Sequence, residues 1–336
     1  MSPADRTSPD SDSRQVAVTF DDLPAISVAN GDLVARRRTT LGLLAALDVH
    51  RIPAVGFVNE SMLLQQGVLD ASQVALLDQW LDAGHELGNH TFSHLDLHRV
   101  PVEAYEADAA RGDEVMRELL QRRGRTPRYF RHPYLHTGLD LATKHRVEGF
   151  LAQRGYRVAP VTIYTEDWMF SAAYDWALFQ RRRDLARRVV RAYHAYLDHT
   201  VAYYESLSVQ LFGRAIRQIL LLHANRLNAV EFGAVAEGLA ARGYEFVRLE
   251  QALLDPVYGS PDRYVRNHGV SWLLRWAVSR GLPERSLKRK PPIPAFVRIE
   301  AQTPWMVLTR SRIGRWRETL YARVKKPWIA RLRGVR

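Results

Sequence analysis

Along most of the chain, short apolar runs alternate with longer stretches of helical spacing. In "VAVTFDD", residues 16–22, Val16, Val18 and Phe20 alternate with small or polar residues and predict a strand that ends in two carboxylates. Helical spacing over 32–47 leads to a strand over 52–58. A helix follows over 72–83, with Ser72 as its N-cap and Gly84 at its end. Further strands are predicted at "HELGNH", "RYFRHPY", "YRVAPVTIY", "ILLLH" and "YEFVRL". Between them lie helices over 102–123, 138–155 and 232–242, and a long helical region over 174–217. Aromatic positions in that long region recur every three or four residues, which core packing explains better than a ligand box. Repeated alternation of strand and helix predicts an α/β fold with a parallel sheet, closed into a barrel.

Composition narrows this picture. The 336 residues suffice for one large domain or two modest ones, and 46% hydrophobic residues with mixed charges are those of a globular protein. There is no cysteine, which excludes disulfides and thiolate metal sites. Any metal must be held by histidine and carboxylate. Residues 1–14 are polar, lack the apolar core of a signal peptide and read as a disordered lead-in. With no long apolar run, the sequence as written is expected in the cytoplasm, an exported form remaining open. The net charge of +12 sits in residues 281–336, which hold 15 Lys or Arg and 3 acids. The neutral body has no electrostatic reason to bind nucleic acid. Near Asp255 a turn-rich "DPVYGSPDRY" marks a boundary, dividing 15–254 from a basic extension over 255–336 that contains Pro and Trp.

The candidate chemistry sits at strand ends. Two adjacent carboxylates, Asp21 and Asp22, repel one another unless a cation or a catalytic task uses them; alone they read as a solvated turn. His90 and His94 are four apart, a spacing that on a helix or tight loop places both imidazoles within reach of one metal. Two His and one Asp form the mixed set that suits Zn²⁺, and also Co²⁺, Fe²⁺, Ni²⁺ or Mn²⁺. In that arrangement Asp22 would ligate while Asp21 acted as base. Arg131 could pair with Asp21 and keep it ionised. His223 could be the acid, with Asp167 orienting it and keeping it protonated. Each has a bland reading beside this: a structural ion pair for Arg131, a core histidine for His223, plain packing for Trp168. What favours the chemistry is their joint appearance at successive strand C-termini, the active face of such barrels.

Taken together, Asp21-Asp22, "HTFSH" over 90–94, "RHPY" over 131–134, Asp167-Trp168 and "LLH" over 221–223 resemble the five motifs of the polysaccharide deacetylases, the NodB-homology or carbohydrate esterase family 4 group. They occur in that family's order between about residues 16 and 250. The resemblance implies a distorted (β/α) barrel that removes an acetyl group from an N-acetylated sugar with a divalent metal, zinc foremost. It implies Asp22, His90 and His94 as metal ligands, Asp21 as base, Arg131 as its orienting partner, and His223 as acid supported by Asp167. Trp168 and Leu221 would wall the acetyl pocket, and the Tyr134 backbone N–H would help stabilise the oxyanion. Two departures are Leu23-Pro24, where the family usually has Gly, and the long helical segment before "LLLH".

The expected substrate is an N-acetylated glycan. A small amide, an acetyl ester or a lipid-linked amino sugar would keep the chemistry and change the partner, and a catalytically inactive glycan-binding barrel is the reading of a different class. The tail, with Trp305, Trp316 and Trp328 among its cations, suits an anionic membrane surface or an acidic glycan; a solvated basic extension explains it equally well.

Overall fold

The structure, a computed structural model, describes residues 14–27, 32–282 and 290–310. In chain order its elements are β1 (Arg14–Ile26), α1 (Leu33–Val49), β2 (Ala54–Val58), a small hairpin β3 (Leu64–Gln65) and β4 (Val68–Leu69), α2 (Ala71–Asp82), β5 (Glu86–Asn89), α3 (Val102–Arg111) and α4 (Glu114–Gln121). There follow β6 (Tyr129–Phe130), α5 (Leu141–Gln153), β7 (Arg157–Val158), β8 (Ile163–Tyr164), α6 (Asp167–Phe179), α7 (Arg183–Phe212), β9 (Gln218–Asn225), α8 (Arg226–Ala241), β10 (Tyr244–Phe246), α9 (Leu249–Ala252), α10 (Trp272–Ser279) and α11 (Ala295–Arg310).

All strands but the hairpin join one parallel sheet in the order β7-β6-β5-β2-β1-β9-β8, with β10 also paired to β1. The two edge strands, β7 and β8, are only four residues apart in sequence. A trans chain advances at most about 3.6 Å per residue, so the edges lie within roughly 18 Å of each other. The sheet is therefore a distorted (β/α) barrel whose last gap is spanned by chain and lacks ladder hydrogen bonds. The run "YRVAPVTIY", expected as one strand, supplies both edges: Pro160 has no N–H for a ladder, and the chain crosses the seam there.

Alternation along β1 sorts its side chains into two layers. Val16, Val18 and Phe20 belong to the layer beneath the helices, where Phe20 packs edge-on to Trp80 of α2 and Phe232 of α8. Ala17 faces the other way, clustering with Val55, Phe57, Tyr129 and Ile219, and Leu249 and Ala252 of α9, with Leu253 just after it, close that inner layer. Continuing along the inner face of β1, Thr19 and Asp21 follow Ala17, so the strand passes from apolar core to carboxylate at its C-terminal end.

Several expected elements are redrawn. The N-cap of α2 is Asp70, whose carboxylate accepts from the Ser72 N–H; Ser72 lies inside the helix. The helix expected over 102–123 is broken at Gly112. A Cβ there would fall 2.4 Å from the Thr91 carbonyl carbon, so only glycine lets α3 approach the 90–94 loop so closely. Beyond the break, the buried Glu60 carboxylate accepts from the Val115 and Met116 N–H groups and caps α4. The long helical region is two helices, and α6 begins earlier than expected, at Asp167 itself.

Described residues after 255 pack onto the barrel. Trp272, Leu273 and Trp276 of α10 lie in the main core. At the seam, the Trp272 N–H donates to the Val161 carbonyl (2.7 Å) and the Ser271 hydroxyl to that of Thr162 (2.6 Å). Most of the basic tail, including Trp316 and Trp328, lies outside the described residues. Among the described residues no helix is long and apolar enough to cross a membrane.

Gly269 meets the carbonyl oxygen of Tyr134 so closely that a Cβ would sit 1.7 Å from it. Gly269→Ala is therefore expected to destabilise the fold by about 1–3 kcal/mol, the usual range for forcing extra volume into a packed site. Urea denaturation measures this, and an unchanged midpoint would show that the segment after 255 does not pack there.

Candidate active site

The site is assembled at the C-terminal ends of β1, β5, β6, β8 and β9. In the parallel register of β1 and β9, Asp21 lies directly opposite His223. Consecutive residues of a strand point to opposite faces, so Asp21 and Asp22 cannot share a site on regular β1. The strand solves this locally: its pairing with β2 shifts register between Phe20 and Leu23, and Asp22 adopts the left-handed conformation (φ 66°). Asp22 Oδ1 consequently lies 3.8 Å from His90 Nε2 and 3.7 Å from His94 Nε2, and the Asn59 amide, at the end of β2, donates to the same oxygen.

His90 and His94 occupy a loop after β5. Left-handed residues at Thr91 and His94 fold it, and the ring centroids of His90 and His94 lie 4.9 Å apart. The loop is pinned from below. The Asn89 side chain accepts from the Thr91 N–H, the Asp108 carboxylate accepts from the Ser93 N–H and hydroxyl, and the Asp108 carbonyl accepts from the Phe92 N–H. His90 Nδ1 lies 2.8 Å from the Arg131 carbonyl, which can only accept. That contact places the proton on Nδ1 and leaves the Nε2 lone pair facing Asp22. Burial pushes both imidazoles down to about 4, so they are neutral near pH 7. Burial would raise Asp22, but His94, His223, His90 and the Asn59 amide outweigh it and hold the carboxyl below its ordinary value.

This donor set fits a divalent metal. One carboxylate and two neutral imidazole nitrogens lie within 4.8 Å of one another, and tetrahedral ligands at zinc bond lengths stand roughly 3.4 Å apart, a few tenths closer than these. A second group, Asp96, His98 and His136, meets the same distance limit and fits a metal poorly. The rings of His98 and His136 stack at 3.9 Å, so their in-plane lone pairs cannot converge. His98 Nε2 already accepts from the Gly138 N–H, and Asp96 Oδ1 pairs with His136 Nδ1 at 2.7 Å.

Arg131 is fully buried over the ring of Phe57 and donates to the Thr19 hydroxyl (3.0 Å). Its Nη1 stands 3.6 Å from Asp21 Oδ1, too far for a hydrogen bond; the pair interacts through charge. Burial raises Asp21 to about 6, with Arg131 and His223 restraining the rise and Asp22 adding to it. His223 is displaced the other way. Burial opposes its charge, but Asp167 outweighs that, with Asp22 and Asp21 behind it, and the imidazole rises to about 9.

Asp167 is fully buried at the start of α6. Its Oδ1 pairs with His223 Nδ1 at 2.7 Å, while Oδ2 accepts from the His223 N–H and from the amides of Asn225 and Asn228. Trp168 follows in the first turn, about half exposed. Leu221 lies two residues before His223, on the same face of β9. Tyr134 and Leu135 are both left-handed, and the Tyr134 ring stands edge-on to His94 with centroids 4.5 Å apart. The structure brings Asp21, Asp22, His90, His94, Arg131, Tyr134, Asp167 and His223 to one end of the sheet, while Trp168 and Leu221 are placed there only as chain neighbours of Asp167 and His223.

Other contributors gave no motif. Thr19, Asn59, Asn225 and Asn228 act through neighbours, and Glu166 pairs with Lys290 (3.1 Å) and the Tyr196 hydroxyl (2.8 Å). Only Asn225 left a sequence signal, as an N-cap residue: it accepts from the Asn228 N–H and opens α8 at Arg226, six residues before the start expected at 232.

A buried carboxylate beside a neutral imidazole pair, with a second imidazole opposite it in the sheet, is an arrangement able to support hydrolytic chemistry. The sequence model of the polysaccharide deacetylase family matches residues 8–158. Over those residues, just under half of its length, the chain is similar to this family of hydrolases acting on carbon–nitrogen amide bonds. Among solved structures it is similar to a carbohydrate esterase family 4 pseudoenzyme from Bacillus anthracis (14% identity, 72% of this chain and 66% of that one, TM-score 0.47). It is also similar to a polysaccharide deacetylase from Bacillus cereus (19%, 70% and 91%, TM-score 0.47) and a peptidoglycan deacetylase from Bacillus subtilis (20%, 73% and 92%, TM-score 0.45). No curated protein sequence matches it.

Chelator-treated protein is expected to take up one equivalent of Zn²⁺ by titration calorimetry. His94→Ala should abolish this, and Asn59→Ala, which frees the Asp22 carboxylate to turn, should weaken it by about 10–100-fold. Uptake unaffected by His94→Ala would place the metal elsewhere.

Proposed function

We propose that the protein hydrolyses the acetamide of an N-acetylated amino sugar within a glycan, releasing acetate. The observation that carries this reading is geometric: Asp21 and His223 lie opposite each other in the β1–β9 register, beside the Asp22–His90–His94 group, with Asp167 on His223 Nδ1. With Asp21 near 6 and His223 near 9, the base is ionised and the acid protonated over the same pH range. A divalent metal held by Asp22, His90 and His94, with zinc the first to test, would polarise the acetamide carbonyl and make water a nucleophile near neutral pH.

The chain's own residues do the rest. Asp21 takes the proton from the attacking water, and Arg131, locked by Thr19 and Phe57, keeps Asp21 ionised without occupying its oxygens. The Tyr134 N–H, turned by its left-handed backbone, donates to the developing oxyanion. His223 gives its Nε2 proton to the leaving nitrogen, while Asp167 fixes Nδ1 and compensates the imidazolium charge. Trp168 and Leu221 bound the acetyl methyl. The family match and the donor set support these assignments. An amine is a poor leaving group unless protonated, so a site with a dedicated acid suits an amide better than an ester.

The test is acetate release from N-acetylglucosamine oligomers after chelation and again with Zn²⁺ restored. Asp21→Asn is expected to lower kcat by about 10²–10⁴-fold, the range general-base catalysis supplies. The pH profile should rise on its acid limb as Asp21 loses its proton and fall on its alkaline limb as His223 loses its own, with the bound cation drawing the two limbs below about 6 and about 9. No acetate from metal-loaded protein would discard this substrate, and activity indifferent to Asp21→Asn would discard the mechanism.

A further inference from the structure

The helix α7 contributes a hydroxyl to the catalytic end of the barrel. Tyr193 is fully buried, and its hydroxyl donates to Asn228 Oδ1 at 2.5 Å. Asn228, also fully buried, turns its amide nitrogen to Asp167 Oδ2 (2.7 Å) and to the His223 carbonyl (2.8 Å). An amide has one accepting and one donating end, and a half-turn would set oxygen against the Asp167 carboxylate. The Tyr193 hydroxyl favours the orientation seen, because it can donate only to the oxygen end.

Building on the deacetylase reading, we propose that Tyr193 and Asn228 are positioning residues for the general acid: Tyr193 sets the Asn228 amide, Asn228 fixes Asp167, and Asp167 fixes His223. Neither residue is placed to touch substrate or metal. Three donors on Asp167 Oδ2, from Asn228, Asn225 and the His223 backbone, leave the carboxylate one orientation in which Oδ1 meets His223 Nδ1. Without the Asn228 donor the carboxylate can rotate, and the imidazole with it. The long segment before β9 thus does more than cover the barrel, since its Tyr193 reaches the acid.

A leaving-group comparison tests this. Release of an amine needs the acid, whereas release of 4-nitrophenolate from 4-nitrophenyl acetate does not. Tyr193→Phe, which removes only the hydroxyl, is expected to lower kcat on N-acetylglucosamine oligomers about tenfold with KM unchanged, part of the roughly 10²–10⁴-fold a general acid supplies. Its 4-nitrophenyl acetate hydrolysis should stay within twofold of the parent's. Asn228→Leu should show the same selectivity with a larger loss. Proton NMR of the zinc-free full-length chain supplies a readout independent of activity: the downfield Nδ1–H resonance of His223 should shift or broaden in Tyr193→Phe. Equal losses on both substrates, or an unmoved resonance with unchanged kcat, would overturn the proposal. Should the parent release no acetate, the deacetylase reading fails by itself, and the resonance still decides whether Tyr193 holds the His223–Asp167 pair.

Discussion

The parallel pairing of β1 with β9 is the constraint on which the rest depends. It sets Asp21 opposite His223 and puts the base and acid candidates at the ends of adjacent strands. The strand spacing of about 4.8 Å fixes that separation before any side chain is considered. The register shift at Asp21-Asp22 then does what regular strand geometry forbids, turning two consecutive carboxylates to one side. One carboxylate joins the imidazole pair while the other faces Arg131. Strain accompanies this division: Asp22, Thr91, His94, Tyr134, Leu135 and Glu166 all hold left-handed backbone without being glycine. Such conformations persist only where surrounding contacts over-determine them, and here they surround one cleft.

The electrostatics follow from how each charge is compensated. Arg131 and Asp21 are both buried yet stand just beyond hydrogen-bond distance, leaving Asp21 Oδ1 and Arg131 Nη1 without partners. A tighter pair would hold Asp21 well down and make it a weak base. The looser one lets burial raise it towards neutrality. Asp167 is the contrasting case: its Oδ2 accepts from three donors, and its Oδ1 is turned to His223 Nδ1. Two buried carboxylates on one barrel end therefore differ in how fully their oxygens are hydrogen-bonded, not in depth.

Much of this was legible in the sequence. Asp21, Arg131 and His223 each follow an apolar run within a strand, His90 follows the short strand β5, and parallel barrels gather strand C-termini at one end. What the sequence could not show depends on non-local contact. The break at Gly112 arises from the 90–94 loop pressing on the backbone, and helix periodicity on either side carries no trace of it. The run over 156–164 reads as one strand because each half has strand propensity; only the closure of the sheet assigns the halves to opposite edges. The Asp22 turn is hidden for a similar reason, since alternation predicts the wrong face for it. Asn59 and Asn228 carry no motif, because their roles exist only through a neighbour.

The seam explains why so much chain outside the core alternation is drawn to the site. Where β7 and β8 fail to pair, backbone groups and apolar surface would be left open at the edges of β7, which pairs with the strand leading to Arg131, and of β8, which leads into Asp167. The segment after 255 closes this flank through Ser271, Trp272 and Gly269. On the β8 side, α7 does the same with Tyr193 behind Asn228 and Tyr196 against Glu166. An uninterrupted barrel would hold these strand ends by its own ladder. This one holds them with side chains from late in the sequence, which makes the orientation of Tyr134 and of the His223–Asp167 pair depend on segments that contribute no metal ligand or catalytic group.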